Sequence, residues 1–266
     1  MKNVVKIGGE VSETAILYNQ AMEHVRIVLV RPRNPENIGA SARAMANFGF
    51  SDLVVVAPYE PVWRESCAAV GAEKIMTQAR TAPGVAQAVS DCHIALATTC
   101  VRRRSPDREV VGLPDIRSWL AQRAGEEGVL KVALLFGSEK TGLSNLNISH
   151  CHALLNIPTT DETPSINLGQ AVALCCYELS RQTGPASPAG GRTRSPEGSS
   201  ETKLPTLEEV ESTAALLRKS LEKTEYFPSQ HPESNEALLR NTLLRLKLSK
   251  ADLYILRRII LRLGKG

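Results

Sequence analysis

Val132-Ala133-Leu134-Leu135-Phe136 opens into Gly137-Ser138-Glu139-Lys140-Thr141-Gly142-Leu143-Ser144, and Ala153-Leu154-Leu155-Asn156-Ile157 opens into Pro158-Thr159-Thr160-Asp161-Glu162-Thr163-Pro164-Ser165. The first run is apolar throughout, the pattern of a strand covered on both faces in a parallel sheet. Both runs break into glycine, proline and small polar residues, and an alanine-rich helix is expected over residues 167–179. Loops leaving the carboxyl ends of parallel strands are where open α/β sheets hold ligands, so a small-molecule site is expected here.

Gly137 and Gly142 have the glycine spacing of a phosphate-binding P-loop, but Leu143 stands where that motif needs lysine. Nothing would then reach the outer phosphates, which argues against a nucleotide triphosphatase. No G-x-G-x-x-G follows a strand either, so an ordinary dinucleotide site is not expected.

Upstream, residues 25–30 read as the first buried strand. Asn34-Pro35-Glu36-Asn37 supplies turn and helix-start chemistry, with Asn37 the expected N-cap. The helix that follows carries small residues (Gly39, Ala40, Ser41, Ala42, Ala44, Ala46) and stops at Gly49, a suitable residue just beyond a helix end. Such a helix lets another backbone or a ribose approach closely. Arg43 stands out within it, on a face neighbouring that of Asn37. Strands are expected over residues 53–57 and 94–98, and helices over 63–76, 85–89 and 118–124. The strand at 94–98 ends in Thr98-Thr99-Cys100 and leads into a cluster of Arg102, Arg103, Arg104 and Arg108.

The chain has 266 residues, enough for one large domain or two unequal ones. No apolar run approaches the ~20 residues that span a bilayer, and the first residues contain no signal-peptide core. The six cysteines form no C-x-x-C pair, so reduced cytoplasmic thiols are expected. His150-Cys151-His152 invites a zinc reading, but such neighbours point to opposite faces of an extended chain and no second pair matches them, so no metal is expected. The net charge of +4 is modest, but its distribution is uneven. From residue 237 onward Arg240, Arg245, Lys247, Lys250, Arg257, Arg258, Arg262 and Lys265 face a single acid, Asp252. Basic patches of this kind are the footprint of phosphate contact, although a solvated helix face gives the same pattern.

Residues 182–205 are rich in glycine, proline and serine and read as a flexible linker. Beyond them Thr206 and Glu209 form a capping box, and Leu207, Val210, Ala214, Leu217 and Leu221 recur at helical steps. Two more helices are expected, over about residues 235–248 and from Ser249, capped with Asp252, to Leu263. The expected organisation is an extension (1–21), a first domain (22–181), the linker (182–205) and a helical RNA-docking domain (206–266).

Phe136-Gly137-Ser138-Glu139-Lys140-Thr141-Gly142-Leu143, Ile157-Pro158 with Ser165-Ile166-Asn167-Leu168, and Asn34-Pro35-Glu36-Asn37-Ile38-Gly39-Ala40-Ser41-Ala42-Arg43 together resemble the three motifs of the SPOUT (SpoU/TrmH family) RNA methyltransferases. The resemblance is greatest to the TrmH/TrmJ branch, which methylates ribose 2′-oxygens. It implies a parallel sheet whose carboxyl-terminal portion is threaded into a trefoil knot, plus a small carboxyl-terminal helical domain. It also implies S-adenosyl-L-methionine as methyl donor, a homodimer, no membrane association, and tRNA as substrate in the anticodon loop (nucleotide 32 type). Ribosomal RNA, or RNA or DNA binding without catalysis, are the alternatives.

By the same resemblance Thr98, Thr99, Cys100, Gly137, Ile157, Pro164, Ser165 and Ile166 would bind the cofactor, with Gly137 letting backbone approach it. Arg43, Ser165 and Asn167 would be catalytic. Arginine is a poor proton acceptor, so Arg43 is expected to grip a phosphate and stabilise developing alkoxide charge, with Ser165 and Asn167 orienting the hydroxyl or Arg43. Glu139 is expected to fix its own loop. Asn37, Arg102, Arg103, Arg104, Arg257 and Arg258 would bind RNA. Pro164-Ser165-Ile166 and the acidic Asp161-Glu162 depart from the usual family pattern, and both bear on the RNA target. Removing residues 206–266 is expected to weaken RNA affinity without unfolding the first domain.

Overall fold

The computed structural model describes residues 24–59, 63–100, 108–124, 130–181, 203–222, 226–227 and 232–263. The amino-terminal extension, Arg102, Arg103 and Arg104, and residues 182–202 of the linker lie outside the described residues. Strands β1 (Val25–Val30), β2 (Asp52–Val56), β3 (Arg80–Ala82), β4 (Ile94–Thr98), β5 (Val110–Gly112), β6 (Val132–Phe136) and β7 (Ala153–Asn156) form a seven-stranded sheet in the order β3-β2-β1-β6-β4-β7-β5. Every pairing is parallel. Strands β3 and β5 are three residues long, too short to leave a periodic signal in the sequence.

Alternation along the buried strands divides the core in two. Ile27, Leu29, Leu53, Val55, Leu96, Leu134, Phe136 and Leu155 point to one face, beneath α1 (Pro35–Asn47), α2 (Glu73–Gln78), α4 (Ile116–Ala124) and α6 (Leu168–Ser180). Val28, Val30, Val54, Val56, Ala95, Ala97, Ala133, Leu135 and Leu154 point to the other. Among the described residues before 182, the helices on that side are α3 (Val85–Val89) and the one-turn α5 (Asn145–Ile148). The cover is completed by α7 (Leu207–Glu222), α8 (Pro232–Arg245) and α9 (Lys250–Leu263), whose Leu207, Val210, Ala214, Leu239, Leu243, Leu244 and Leu253 join the same apolar cluster.

The carboxyl-terminal helices are therefore a layer of the sheet's own core, and this changes one expectation. Removing residues 206–266 would expose apolar residues of that sheet face to water, so the truncated chain is expected to lose stability as well as RNA affinity. Polar ties reinforce the layer. The N–H groups of Leu207 and Glu208, which start α7, donate to the carbonyls of Cys92 and Ser90, both at 2.9 Å. Arg240, 4% exposed, pairs with Glu211 and donates to Ser149 Oγ at 2.6 Å. Arg108 donates to the carbonyls of Ile148 and Cys151 at 2.6 and 2.8 Å and to Asn241 Oδ1 at 2.8 Å. Arg108 and Arg240, grouped by sequence with the basic patches, thus hold the two parts of the molecule together. Arg240→Ala leaves Glu211 with His150 alone and Ser149 Oγ without its donor, and a loss of about 1–3 kcal/mol is expected, read from thermal or denaturant unfolding.

Several local expectations hold. Thr206 and Glu209 form the capping box, with Thr206 N–H donating to Glu209 at 2.9 Å and Glu209 N–H to Thr206 Oγ1 at 3.3 Å. Ser249 and Asp252 cap α9 in the same way. Others are corrected. The helix expected over 63–76 is a 3₁₀ turn at Trp63–Glu65 and the short α2, because Gly71 at φ +77° takes the chain through the left-handed region between them. Arg26 interrupts the apolar run of β1 and is 1% exposed, held by Asp52 at 2.9 Å, Asp91 at 2.5 Å and the Ala88 carbonyl at 2.8 Å. This cluster ties β1, β2 and α3 at the end of the sheet away from the loops that follow β1, β6 and β7.

His150, Cys151 and His152 have separate tasks. His150 faces Glu211 at 3.5 Å, the Cys151 thiol is buried, and His152 Nδ1 accepts from the Ala95 N–H at 3.3 Å. Burial, then Arg123, pushes His152 from 6.5 down to about 4. Glu211 is pushed from 4.5 down to about 2: burial opposes the charge, but hydrogen bonds from His150 and Arg240 outweigh it. In both cases the unfolded chain binds a proton that the folded chain refuses, so stability falls as pH falls. Melting temperature is expected to drop in two overlapping stages, from pH 6.5 towards 4 through His152 and from 4.5 towards 2 through Glu211. His152→Asn, which keeps an acceptor without the titration, should flatten the upper stage alone.

Candidate active site

Parallel register brings the sequence motifs to one edge of the sheet. Ala97 pairs with Leu135 and Thr98 with Leu155, so Thr99 lies level with Gly137 and Cys100 with Ile157. Leu29 pairs with Phe136, which puts Val30, where the Asn34 motif leaves β1, beside Gly137 as well. At about 4.8 Å between neighbouring strands, the loops after β1, β6, β4 and β7 start within about 15 Å of one another. Two contacts lock the level: Thr98 Oγ1 donates to the Leu135 carbonyl at 2.8 Å, and Thr99 N–H to the Leu155 carbonyl at 3.1 Å.

A chain of hydrogen bonds then joins the three motifs. Glu139 accepts from the backbone N–H groups of Arg33 and Asn34 at 2.9 and 3.2 Å and from Asn37 Nδ2 at 2.8 Å. Asn37 Oδ1 accepts from Asn167 Nδ2 at 2.9 Å, and Asn167 Oδ1 accepts from the N–H groups of Gly169 and Gln170 at 2.9 and 3.4 Å at the start of α6. Partial burial works against charge on Glu139, but the bonds from Asn37, Arg33 and Asn34 hold its carboxyl below the usual carboxylate range. It is a fixed anion and a poor base at neutral pH. Asn37 is not the N-cap of α1: Asn34 is, its Oδ1 accepting from Glu36 N–H at 3.0 Å. Both ends of the Asn37 amide are engaged by protein, so a side chain expected to contact RNA is first of all an internal bridge.

Two glycines set the packing. A Cβ on Gly137 would stand 2.2 Å from the Gly142 carbonyl carbon and 2.4 Å from the Leu143 nitrogen. Gly137 is thus required by its own loop folding back, a different reason from the one expected. Gly142 closes that turn at φ +65°, donating to the Ser138 carbonyl at 2.7 Å. A Cβ on Gly169 would meet Ala40 Cβ at 2.8 Å, which is how closely α6 crosses α1.

The remaining expected residues differ in setting. Arg43 projects from α1, exposed, and makes no ion pair with the described residues. Ser165 is exposed, Pro164 and Ile166 are half-buried, and Ile157 packs its side chain on the core. Cys100 is half-buried. Arg257 is held within the helical layer by Ser212 and by Thr213 at 3.3 Å, whereas Arg258 is exposed beside the Tyr254 ring at 5.9 Å. Arg257 and Arg258 are carried by α9, apart from the motifs. Arg33 and Tyr59 sit at the rim and were not among the expected residues; a lone arginine and tyrosine carry no spacing that would have marked them.

The family described as SpoU rRNA Methylase matches residues 24–177. A protein of Pseudomonas aeruginosa named tRNA (cytidine/uridine/adenosine-2'-O-)-methyltransferase TrmJ is 31% identical over 242 residues, covering 90% of this chain and 93% of that one. The Salmonella typhimurium tRNA (cytidine/uridine-2'-O-)-methyltransferase TrmJ is 29% identical over 240 residues, covering 90% and 96%. The crystal structure of TrmJ from Z. mobilis superposes with a TM-score of 0.73 at 33% identity, covering 90% of this chain and 98% of that one.

Proposed function

The chain belongs to the SpoU methylase family, and on that premise we propose that it transfers a methyl group from S-adenosyl-L-methionine to a ribose 2′-oxygen of tRNA, in the anticodon loop. The observation that carries the reading is the Glu139–Asn37–Asn167 chain, which binds three separated motifs into one edge. Relatives named as tRNA 2'-O-methyltransferases, matched over nearly their whole length, favour tRNA over ribosomal RNA.

The residues present fit the donor. Half-buried Ile157 and Ile166 offer apolar surface suited to an adenine, and the small Thr98, Thr99 and Cys100 leave room at the neighbouring strand end. Pro164 and Ser165 close the same side. When bound, the cofactor supplies an electrophilic sulfonium methyl. The protein's part is chiefly positioning: Arg43 grips a phosphate beside the target ribose and stabilises the charge that grows on its 2′-oxygen. Asn167, fixed by Asn37 and by its own helix, and Ser165 orient that hydroxyl. Arg102, Arg103, Arg104 and Arg258 supply further phosphate contacts. A trefoil knot in the carboxyl-terminal part of the sheet and a cytoplasmic location belong to the same reading.

A second copy of the chain completes the proposal. Leu174 and Tyr177 on α6 are 42% and 51% exposed, with Phe48 edge-on to Tyr177 at 5.9 Å, an apolar patch that a homodimer would cover. Tyr177→Asp is expected to give a monomer by light scattering. The test of the function is incubation of the full chain with radiolabelled donor and unmodified tRNA, followed by nuclease mapping. Label in a ribose of the anticodon loop is expected; label in ribosomal RNA alone, or in none, would reject the assignment.

A further inference from the structure

We propose that Arg33 and Tyr59 form a stacking platform for an unpaired nucleotide next to the target ribose, an inference that rests on the function proposed above. The Arg33 guanidinium lies over the Tyr59 ring, 4.8 Å from its centroid. Tyr59 is 64% exposed, Arg33 is exposed too, and neither side chain forms a hydrogen bond or ion pair with the described residues. A pair buried this little contributes little to folding. Its backbone, by contrast, is pinned to the site. Arg33 N–H donates to Glu139 at 2.9 Å, and Tyr59 N–H donates to the Pro32 carbonyl at 3.2 Å. The platform therefore stands one residue from the hydrogen-bond chain that fixes Asn37 and Asn167.

The chemistry matches single-stranded RNA. A planar ring offers a face to any base, and a guanidinium stacked on it adds cation–π attraction and donors for the adjoining phosphate. An anticodon loop presents such splayed bases, which proteins recognise through aromatic and arginine planes. Arg31, two residues before Arg33, and Lys140, next to the Glu139 that holds the Arg33 N–H, are both exposed. Glu139, the acid nearest in sequence to Lys140, is turned inward onto the Arg33 and Asn34 N–H groups.

The experiment uses the full chain and an unmodified tRNA transcribed in vitro. Tyr59→Ala and Arg33→Ala are each expected to raise KM for tRNA about tenfold, with kcat, the affinity for S-adenosylmethionine and the melting temperature little changed. Tyr59→Phe keeps the ring and should behave as the parent, whereas Arg33→Lys keeps the charge without the plane and should recover only part of the loss. Filter binding of the same tRNA gives a readout independent of turnover. Unchanged KM and RNA affinity in Tyr59→Ala would overturn the platform, as would a lowered melting temperature with unchanged RNA affinity, which marks a mere loop staple. A parent protein that binds tRNA but methylates none would instead overturn the assigned reaction.

Discussion

Arg43→Ala is expected to lower kcat for RNA methylation by about 10²–10³, while calorimetric affinity for S-adenosylmethionine stays near that of the parent. Arg43 is exposed on α1 and has no ion pair among the described residues, so its removal breaks nothing that holds the fold. The helix itself is anchored elsewhere, by Ile38, Ala42 and Met45 in the core and by Asn37 in the hydrogen-bond chain. An exposed arginine with no ion pair among the described residues is free to take an anion, and the anions of the proposed reaction are a phosphate and a developing alkoxide. Arg43→Lys should recover part of the rate, because the charge survives but the planar, bidentate donor set does not. Near-full turnover in Arg43→Ala would show that the role assigned to this residue is wrong.

The second large effect is expected at Gly137. Gly137→Ala places a methyl group 2.2 Å from the Gly142 carbonyl carbon and 2.7 Å from its Cα, both backbone atoms that no rotamer change can move. The turn from Ser138 to Gly142 must open, and Glu139 moves with it. Losing Glu139 releases the Arg33 and Asn34 N–H groups and the Asn37 amide together. Donor affinity is expected to fall at least about tenfold and stability by about 1–3 kcal/mol, the usual cost of overpacking a closed site. Glu139→Gln separates the two causes: it keeps the loop's shape but removes the charge the three donors surround, and should cost less in donor affinity than Gly137→Ala. An alanine at 137 with parental donor affinity would mean that the loop's closure has no part in the site.

Much of this molecule is legible one residue at a time. The apolar runs of β4 and β6 mark themselves as strands with two covered faces, and the Thr206–Glu209 and Ser249–Asp252 pairs announce where α7 and α9 begin. Breaks in the pattern were harder. Gly71 divides a region that reads as one helix, and Arg26 lies within a strand as a buried charge because Asp52 and Asp91 come from elsewhere to meet it. Asn34 and Asn37 are equally good cap residues by type, and only the direction of the chain leaving β1 selects Asn34.

By itself the sequence determined the parallel α/β class, the order of the three motifs and the residue types gathered in them, since these follow from local apolar runs, turn chemistry and spacing. Tertiary structure alone decided which motif residues touch, that Glu139 is the hub, and that Arg108 and Arg240 are internal ties. It also decided that the helices after the linker are the second cover of the sheet. The reason is common to all four: each depends on strand register and on partners far apart in the chain, such as Arg240 with Ser149 or Asn167 with Asn37, and no local pattern encodes a pairing whose two halves are separated by a hundred residues of fold.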